Sequence, residues 1–231
     1  MTEQLHEGFD GLVHVLKQVP KSDVLVVNVG AYDASRSFRN MFSQGSYADG
    51  KDATGVSFIE VEADLAQAKN LVGISGDGVT VVAADATKLP DAMTAAQRKV
   101  HILSLANIFS GRHVDGAGAM NEDVLRSYID ILADGGELLV FEYNEPNISR
   151  GRLATLLSSV QNSSFSQERI AAEMIEPAKD DFSKIDAELD RVGISNAQRW
   201  IFKQEWENAK RNKSVGMPYI LRFRKMAAPQ N

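Results

Sequence analysis

The run Asp23-Val24-Leu25-Val26-Val27-Asn28-Val29-Gly30-Ala31-Tyr32-Asp33 constrains the fold more than any other part of the chain. A short apolar run ends in a polar residue, a glycine and a turn. A second run ends in acid (Phe58-Ile59-Glu60-Val61-Glu62), and so does a third (Val79-Thr80-Val81-Val82-Ala83-Ala84-Asp85). Near-continuous apolar strands that stop at polar residues belong in parallel sheets covered on both faces. Ligands of such sheets sit outside the carboxyl ends of the strands. A glycine and two acids at those ends suit a nucleoside. Gly30 admits close backbone approach, Glu62 fits a ribose diol, and Asp85 fits an adenine edge.

Helical spacing of Leu5, Phe9, Leu12, Val13 and Leu16 predicts an N-terminal helix over 4–19, before Pro20. Strands are expected at 23–29, 56–62, 79–84, 99–105 and 137–143. Helices are expected at 33–42, 64–72, 91–97 and 121–132. Residues 43–55 and 110–118 read as glycine-rich loops, and Ala133-Asp134-Gly135-Gly136 as a turn. This alternation predicts an α/β doubly wound sheet of about seven strands. Residues 147–182 read as mostly helical without a clear strand. A helix over 185–194 follows, then two β-like runs, 198–202 and 217–223, which would form a C-terminal antiparallel hairpin.

Composition excludes several classes of chemistry. No cysteine is present, so disulfides, thiolate metal sites and cysteine nucleophiles are excluded, and a cytoplasmic setting is expected. His6, His14, His101 and His113 share no metal-ligand spacing, so no metal site is expected. No apolar run approaches the ~20 residues that span a bilayer, so no membrane partner is expected. The net charge of −6 hides a segment, 199–225, with eight basic and two acidic residues. That basic edge is a candidate nucleic-acid footprint, but without interleaved stacking aromatics it reads first as a solvated face. Trp200 and Trp206 read as packing residues, and His101, mid-strand, as structural.

Four local patterns, in their order, resemble the class I S-adenosylmethionine-dependent methyltransferases. Asn28-Val29-Gly30-Ala31-Tyr32-Asp33-Ala34 resembles that family's nucleotide loop. Glu62 falls at its ribose-binding acid, and Asp85-Ala86 at its adenine-side pair. Leu132-Ala133-Asp134-Gly135-Gly136-Glu137-Leu138-Leu139-Val140 resembles its entry to strand five. The chain departs from the family at Asn28, which replaces an acid, and at Tyr32 and Ala34, which replace glycines. It also lacks the strand-four signature of amino-group nucleic-acid methylation.

The resemblance covers 20–145 and 185–226. It implies a Rossmann-like fold, one methyltransferase-like domain over 1–231, and S-adenosylmethionine as cofactor. It places Asn28, Gly30, Ala31, Tyr32, Glu62, Asp85, Ala86 and Leu105 at the cofactor. His113 and Tyr143 are the candidate catalytic residues. Residues 144–182 become a helical cap insertion over the acceptor. The implied activity is methyl transfer to a small-molecule acceptor. An RNA or protein methyltransferase, and a non-catalytic binding or assembly subunit, are the alternatives. Nucleic acid is the less favoured partner, and homodimerisation stays open.

Overall fold

The computed structural model describes residues 5–30, 55–75, 78–106, 122–142, 170–192, 196–212 and 216–226. The expected helix 33–42, both glycine-rich loops and most of the proposed cap lie outside them. In chain order the elements are β1 (His6–Glu7), α1 (Gly8–Gln18), β2 (Val24–Val29), β3 (Val56–Glu62), α2 (Leu65–Ser75) and β4 (Val79–Ala83). A 3-10 turn (Ala86–Lys88), α3 (Leu89–Ala95), β5 (Val100–Ala106), α4 (Glu122–Asp130) and β6 (Leu132–Glu142) come next. The chain continues with β7 (Ile170–Ile175), α5 (Ser183–Arg191), α6 (Asn196–Arg211) and β8 (Tyr219–Lys225).

All the strands form one sheet in the order β1-β4-β3-β2-β5-β6-β8-β7. The pairs from β1 to β6 are parallel, while β6–β8 and β8–β7 are antiparallel. This is the expected Rossmann-like sheet with a C-terminal antiparallel hairpin. Seven strands are of full length, and the two-residue β1 is added at one edge. It takes up the start of the expected N-terminal helix, because Glu7 is extended. Val19, immediately before Pro20, is also extended and ends α1.

Helices cover both faces. On one, Leu12, Leu16, Met93, Leu125 and Tyr128 from α1, α3 and α4 pack against Val27, Leu103 and Val140. On the other, Ile185, Leu189, Phe202 and Trp206 from α5 and α6 pack against Val26, Ile102 and Phe141. Strands buried on both sides need apolar residues at successive positions, which is why β2 reads VLVVNV. His101 is structural, as expected: its Nδ1 accepts the Leu25 N–H at 3.0 Å, between β5 and β2.

Two expectations at the hairpin are corrected. Residues 198–202 are not a strand but the start of α6. Phe202, Trp206 and Ala209 are its buried residues, at helical spacing. The partner of β8 is instead Ile170–Ile175, inside a segment read as having no strand. Residues 170–175 of the expected cap therefore belong to the sheet, and 144–169 lie outside the described residues. The expected turn at 133–136 is an irregularity within β6, where the register with β5 shifts between Val100 and Ile102. Gly136 allows it: a Cβ there would lie 2.9 Å from the Ala133 carbonyl oxygen and 3.0 Å from that of Val100.

An ion cluster ties α5 to the hairpin. Glu137 of β6, 1% exposed, accepts from Arg191 of α5 at 2.9 Å and from Arg224 Nε of β8 at 2.9 Å. Glu188 accepts from Arg191 at 2.7 Å and Arg222 at 2.9 Å, and Arg222 also reaches Glu173. Burial alone would lower the Arg191 pKa. The hydrogen bonds and charges of Glu188 and Glu137 outweigh it and hold the guanidinium above its ordinary range.

The direction of α6 follows from two contacts. Arg199, near its start, pairs with Asp186 and Asp190 of α5. Trp206, further along, packs on Phe182 just before α5, at 5.2 Å between ring centroids. The two helices are therefore antiparallel. Phe202 meets Phe141 near the carboxyl end of β6, so α6 climbs toward that edge of the sheet.

Candidate active site at the carboxyl edge

Three adjacent parallel strands end side by side. Val29 of β2 pairs with Val61 of β3, and Glu62 of β3 pairs with Ala83 of β4. Gly30, Glu62 and Asp85 thus follow one another along a single edge, with neighbouring strands about 4.8 Å apart. Gly30 has a φ of +66°, a conformation that glycine adopts without steric cost. Its N–H donates to the Val61 carbonyl at 3.1 Å, which anchors the turn on β3.

Glu62 is half-exposed, and its Oε1 accepts the Asp64 N–H at 3.0 Å. Asp64 in turn accepts from Gln67 N at 2.9 Å and caps α2. Asp85 is exposed, and its Oδ1 accepts Thr87 N at 2.9 Å. Each acid therefore fixes its own turn with one oxygen, and among the described residues neither has a hydrogen-bond partner for the second. Ala86 is held from below, because Tyr128 of α4 donates its hydroxyl to the Ala86 carbonyl at 3.0 Å.

Burial, then the nearby negative charge of Asp85, pushes the Tyr128 phenol above its ordinary pKa of 10. A pKa raised in the folded state leaves stability intact below about pH 10 and lost as pH rises above it, where only the unfolded phenol ionises. Tyr128→Phe is expected to cost about 1 kcal/mol at neutral pH through loss of the hydrogen bond. The gap between the two proteins in urea midpoint should narrow above pH 10. A gap that widens there would contradict this assignment.

Asn28 is 1% exposed and lies on the α5/α6 face of the sheet, in register with Glu60 on one side and Ser104 on the other. Its Nδ2 donates to Glu60 Oε1 at 3.1 Å. Asn28 Oδ1 and Ser104 Oγ are buried without a hydrogen-bond partner among the described residues. Glu60 stands two residues before the end of β3, back from the rim. Its contribution comes from pairing with Asn28, which restores a carboxylate beside the position where Asn28 replaces an acid.

Leu105 is fully buried in the core on the α1/α4 face. Ala31, Tyr32, His113 and Tyr143 lie outside the described residues. A concavity of about 730 Å³ opens between β7 and α5, away from the Gly30, Glu62 and Asp85 turns. Its Arg191 and Arg222 are already held by Glu188, so it offers no free cation from that pair. Among the described residues no group of side chains is arranged to hold a metal ion. No helix among them is long and apolar enough to cross a membrane.

No family model matches the chain, and no curated protein matches it. Solved structures do resemble it. The plantazolicin methyltransferase BamL, in complex with a triazolic desmethylPZN analogue and SAH, is 8% identical, with a TM-score of 0.49, over 93% of this chain and 84% of that one. An rRNA methylase from Streptococcus thermophilus is 10% identical, with a TM-score of 0.43, over 93% and 94%. Phosphoethanolamine N-methyltransferase 2 of Haemonchus contortus, with S-adenosyl-L-methionine, is 13% identical, with a TM-score of 0.43, over 96% of this chain and 53% of that one. At TM-scores below 0.5 these likenesses carry no part of the functional reading.

Proposed function

We propose that the carboxyl edge of the sheet binds S-adenosylmethionine and that the chain is a methyltransferase. One observation carries this reading. Gly30, Glu62 and Asp85 close three adjacent parallel strands in the order that a nucleoside laid across them would meet. The residues fit the group. Gly30 leaves room for close backbone approach, and Glu62 and Asp85 each keep an oxygen free of the contact that fixes its turn. The buried Asn28 Oδ1 is an acceptor in need of a donor.

When bound, the sulfonium supplies both the transferable methyl and its leaving group. The chain's own work is then positioning. Glu62 would hold the sugar diol and Asp85 the base edge. The Tyr128–Ala86 bond keeps the Asp85 turn in place. Asn28 and Glu60 would carry the polar end of the molecule. His113 and Tyr143 remain the candidates for taking a proton from the acceptor. A base is needed only where that acceptor must lose one.

Glu62→Ala is expected to weaken S-adenosylmethionine binding by ~1–3 kcal/mol through loss of charged-acceptor hydrogen bonds. Isothermal calorimetry reads this directly, and an unchanged affinity removes Glu62 from the site. Failure of the unaltered chain to bind either S-adenosylmethionine or S-adenosylhomocysteine favours the non-catalytic alternative. For the acceptor, the sequence favours a small molecule under the expected cap 144–182, of which 170–175 belongs to the sheet. The outer face of α6 favours a nucleic acid instead.

A further inference from the structure

We propose that the outer face of α6 is a docking surface for single-stranded nucleic acid. The sequence reading treated Trp200 as a packing residue, and this is corrected: its side chain is 62% exposed, the most exposed large apolar residue described. Trp206 does the packing, and its indole N–H donates to the Ala178 carbonyl at 3.2 Å. Trp200 thus presents a large aromatic side chain to solvent from a rigid helix whose opposite side is anchored in the core.

Its neighbours on that face are Lys203, Gln204, Asn208 and Arg211, at helical offsets of 3, 4, 8 and 11 residues. All four are exposed. Half of the eight basic residues of 199–225 are paired with carboxylates. Arg199, Arg222 and Arg224 are paired with carboxylates, and Lys210 pairs with Glu207 while sitting 3.8 Å from the Trp206 ring centroid. Lys203 and Arg211 have no such partner among the described residues. The carboxylate between them, Glu207, is the one that Lys210 occupies. Among the described residues the face therefore presents two cations outside any ion pair, the Glu207–Lys210 pair between them, two amides and a stacking ring.

That combination matches one partner better than others. A protein-binding face would need an apolar centre around the tryptophan. A duplex hides its base faces, whereas unpaired bases stack on an aromatic ring while cations track the phosphates. The stripe also leads somewhere. Because α6 climbs toward the carboxyl edge, Arg211 lies at the end nearer the Gly30, Glu62 and Asp85 turns. A strand lying along α6 would run toward them. As a binding surface this stands without the cofactor reading; as the place where an acceptor docks, it rests on it.

The test is fluorescence anisotropy with a labelled short oligouridylate, on the full chain without cofactor. Trp200→Ala is expected to weaken binding ~5–150-fold, the loss of one stacked base. Trp200→Phe should retain most of the affinity, since a ring remains. Replacing Lys203 and Arg211 together by glutamine should flatten the dependence of log K on log salt by about 1.4. Lys69→Gln on α2 is the exposed control and should leave affinity unchanged. Circular dichroism of each variant confirms that surface changes leave the fold intact. The proposal is overturned if the parent does not bind, if it binds duplex RNA equally well, if Trp200→Ala binds like the parent, or if Lys69→Gln loses as much as the α6 variants. Because no cofactor is present, these outcomes are separate from the calorimetry with S-adenosylmethionine.

Discussion

Replacing Gly30 by valine is expected to remove S-adenosylhomocysteine binding to a greater degree than any other single change at the carboxyl edge. Two costs combine. The backbone at Gly30 has a φ of +66°, and a β-branched residue there is a steric outlier. The left-handed conformation alone costs a side-chain-bearing residue roughly 1–2 kcal/mol. The branched side chain would also stand where, in the proposed site, a nucleoside would approach the backbone. Gly30→Ala separates the two effects, since it pays the same backbone penalty with less bulk. Calorimetry should show both weakened, with valine beyond the ~5–150-fold range expected for Glu62→Ala. Retained affinity in Gly30→Val would place the cofactor elsewhere.

The largest expected effect on stability is at Glu137. Its carboxylate is 1% exposed and bridges Arg191 and Arg224, from an α-helix and a β-strand far apart in sequence. Glu137→Ala leaves both guanidiniums without that partner. A fully buried pair broken on one side costs about 3–5 kcal/mol. Here the arginine side chains are 31% and 46% exposed and can partly rehydrate. The expected loss is therefore about 2–3 kcal/mol, below that fully buried limit. It would be read as a lowered urea midpoint. Glu173→Ala is the contrast: that side chain is 57% exposed, and its pair with Arg222 should contribute at most about 1 kcal/mol. Equal midpoint shifts in the two variants would contradict the role assigned to burial.

The central strands were legible because burial on both faces leaves a local trace. Residues 24–29, 79–83 and 100–106 are rich in Val, Ile and Leu, 56–62 mixes them with Phe, Ser and Glu, and the ends of all four match the expected ones within a residue or so. The hairpin was less legible. Ile170-Ala171-Ala172-Glu173-Met174-Ile175 is an edge strand built largely from good helix formers, and only its pairing with β8 selects the extended form. The run Gln198-Arg199-Trp200-Ile201-Phe202 carries β-prone residues. Its helical nature shows only when Trp206 and Ala209 are counted with Phe202.

The candidate site divides in the same way. Gly30, Glu62 and Asp85 could be read because each terminates its own strand. What joins Glu60 and Ser104 to Asn28 could not be read, since it is register between strands remote in sequence. Trp200 and Trp206 lie six residues apart, and composition cannot tell which of them faces water. That depends on where the helix rests.

The placement of the ion cluster has a consequence for how this chain tolerates change. Glu137 lies midway along its strand, five residues before the carboxyl end, whereas Glu62 closes its strand at the carboxyl rim, Asp85 follows just beyond β4, and both face solvent at least in part. Substitutions at the rim leave the clamp between α5 and the hairpin intact. The scaffold can therefore outlast ligand recognition: a Glu62→Ala variant, which introduces no backbone strain, should still melt cooperatively near the parent's midpoint. Activity and integrity are separately editable, and an inactive descendant would remain a well-folded platform for whatever its helical surface holds.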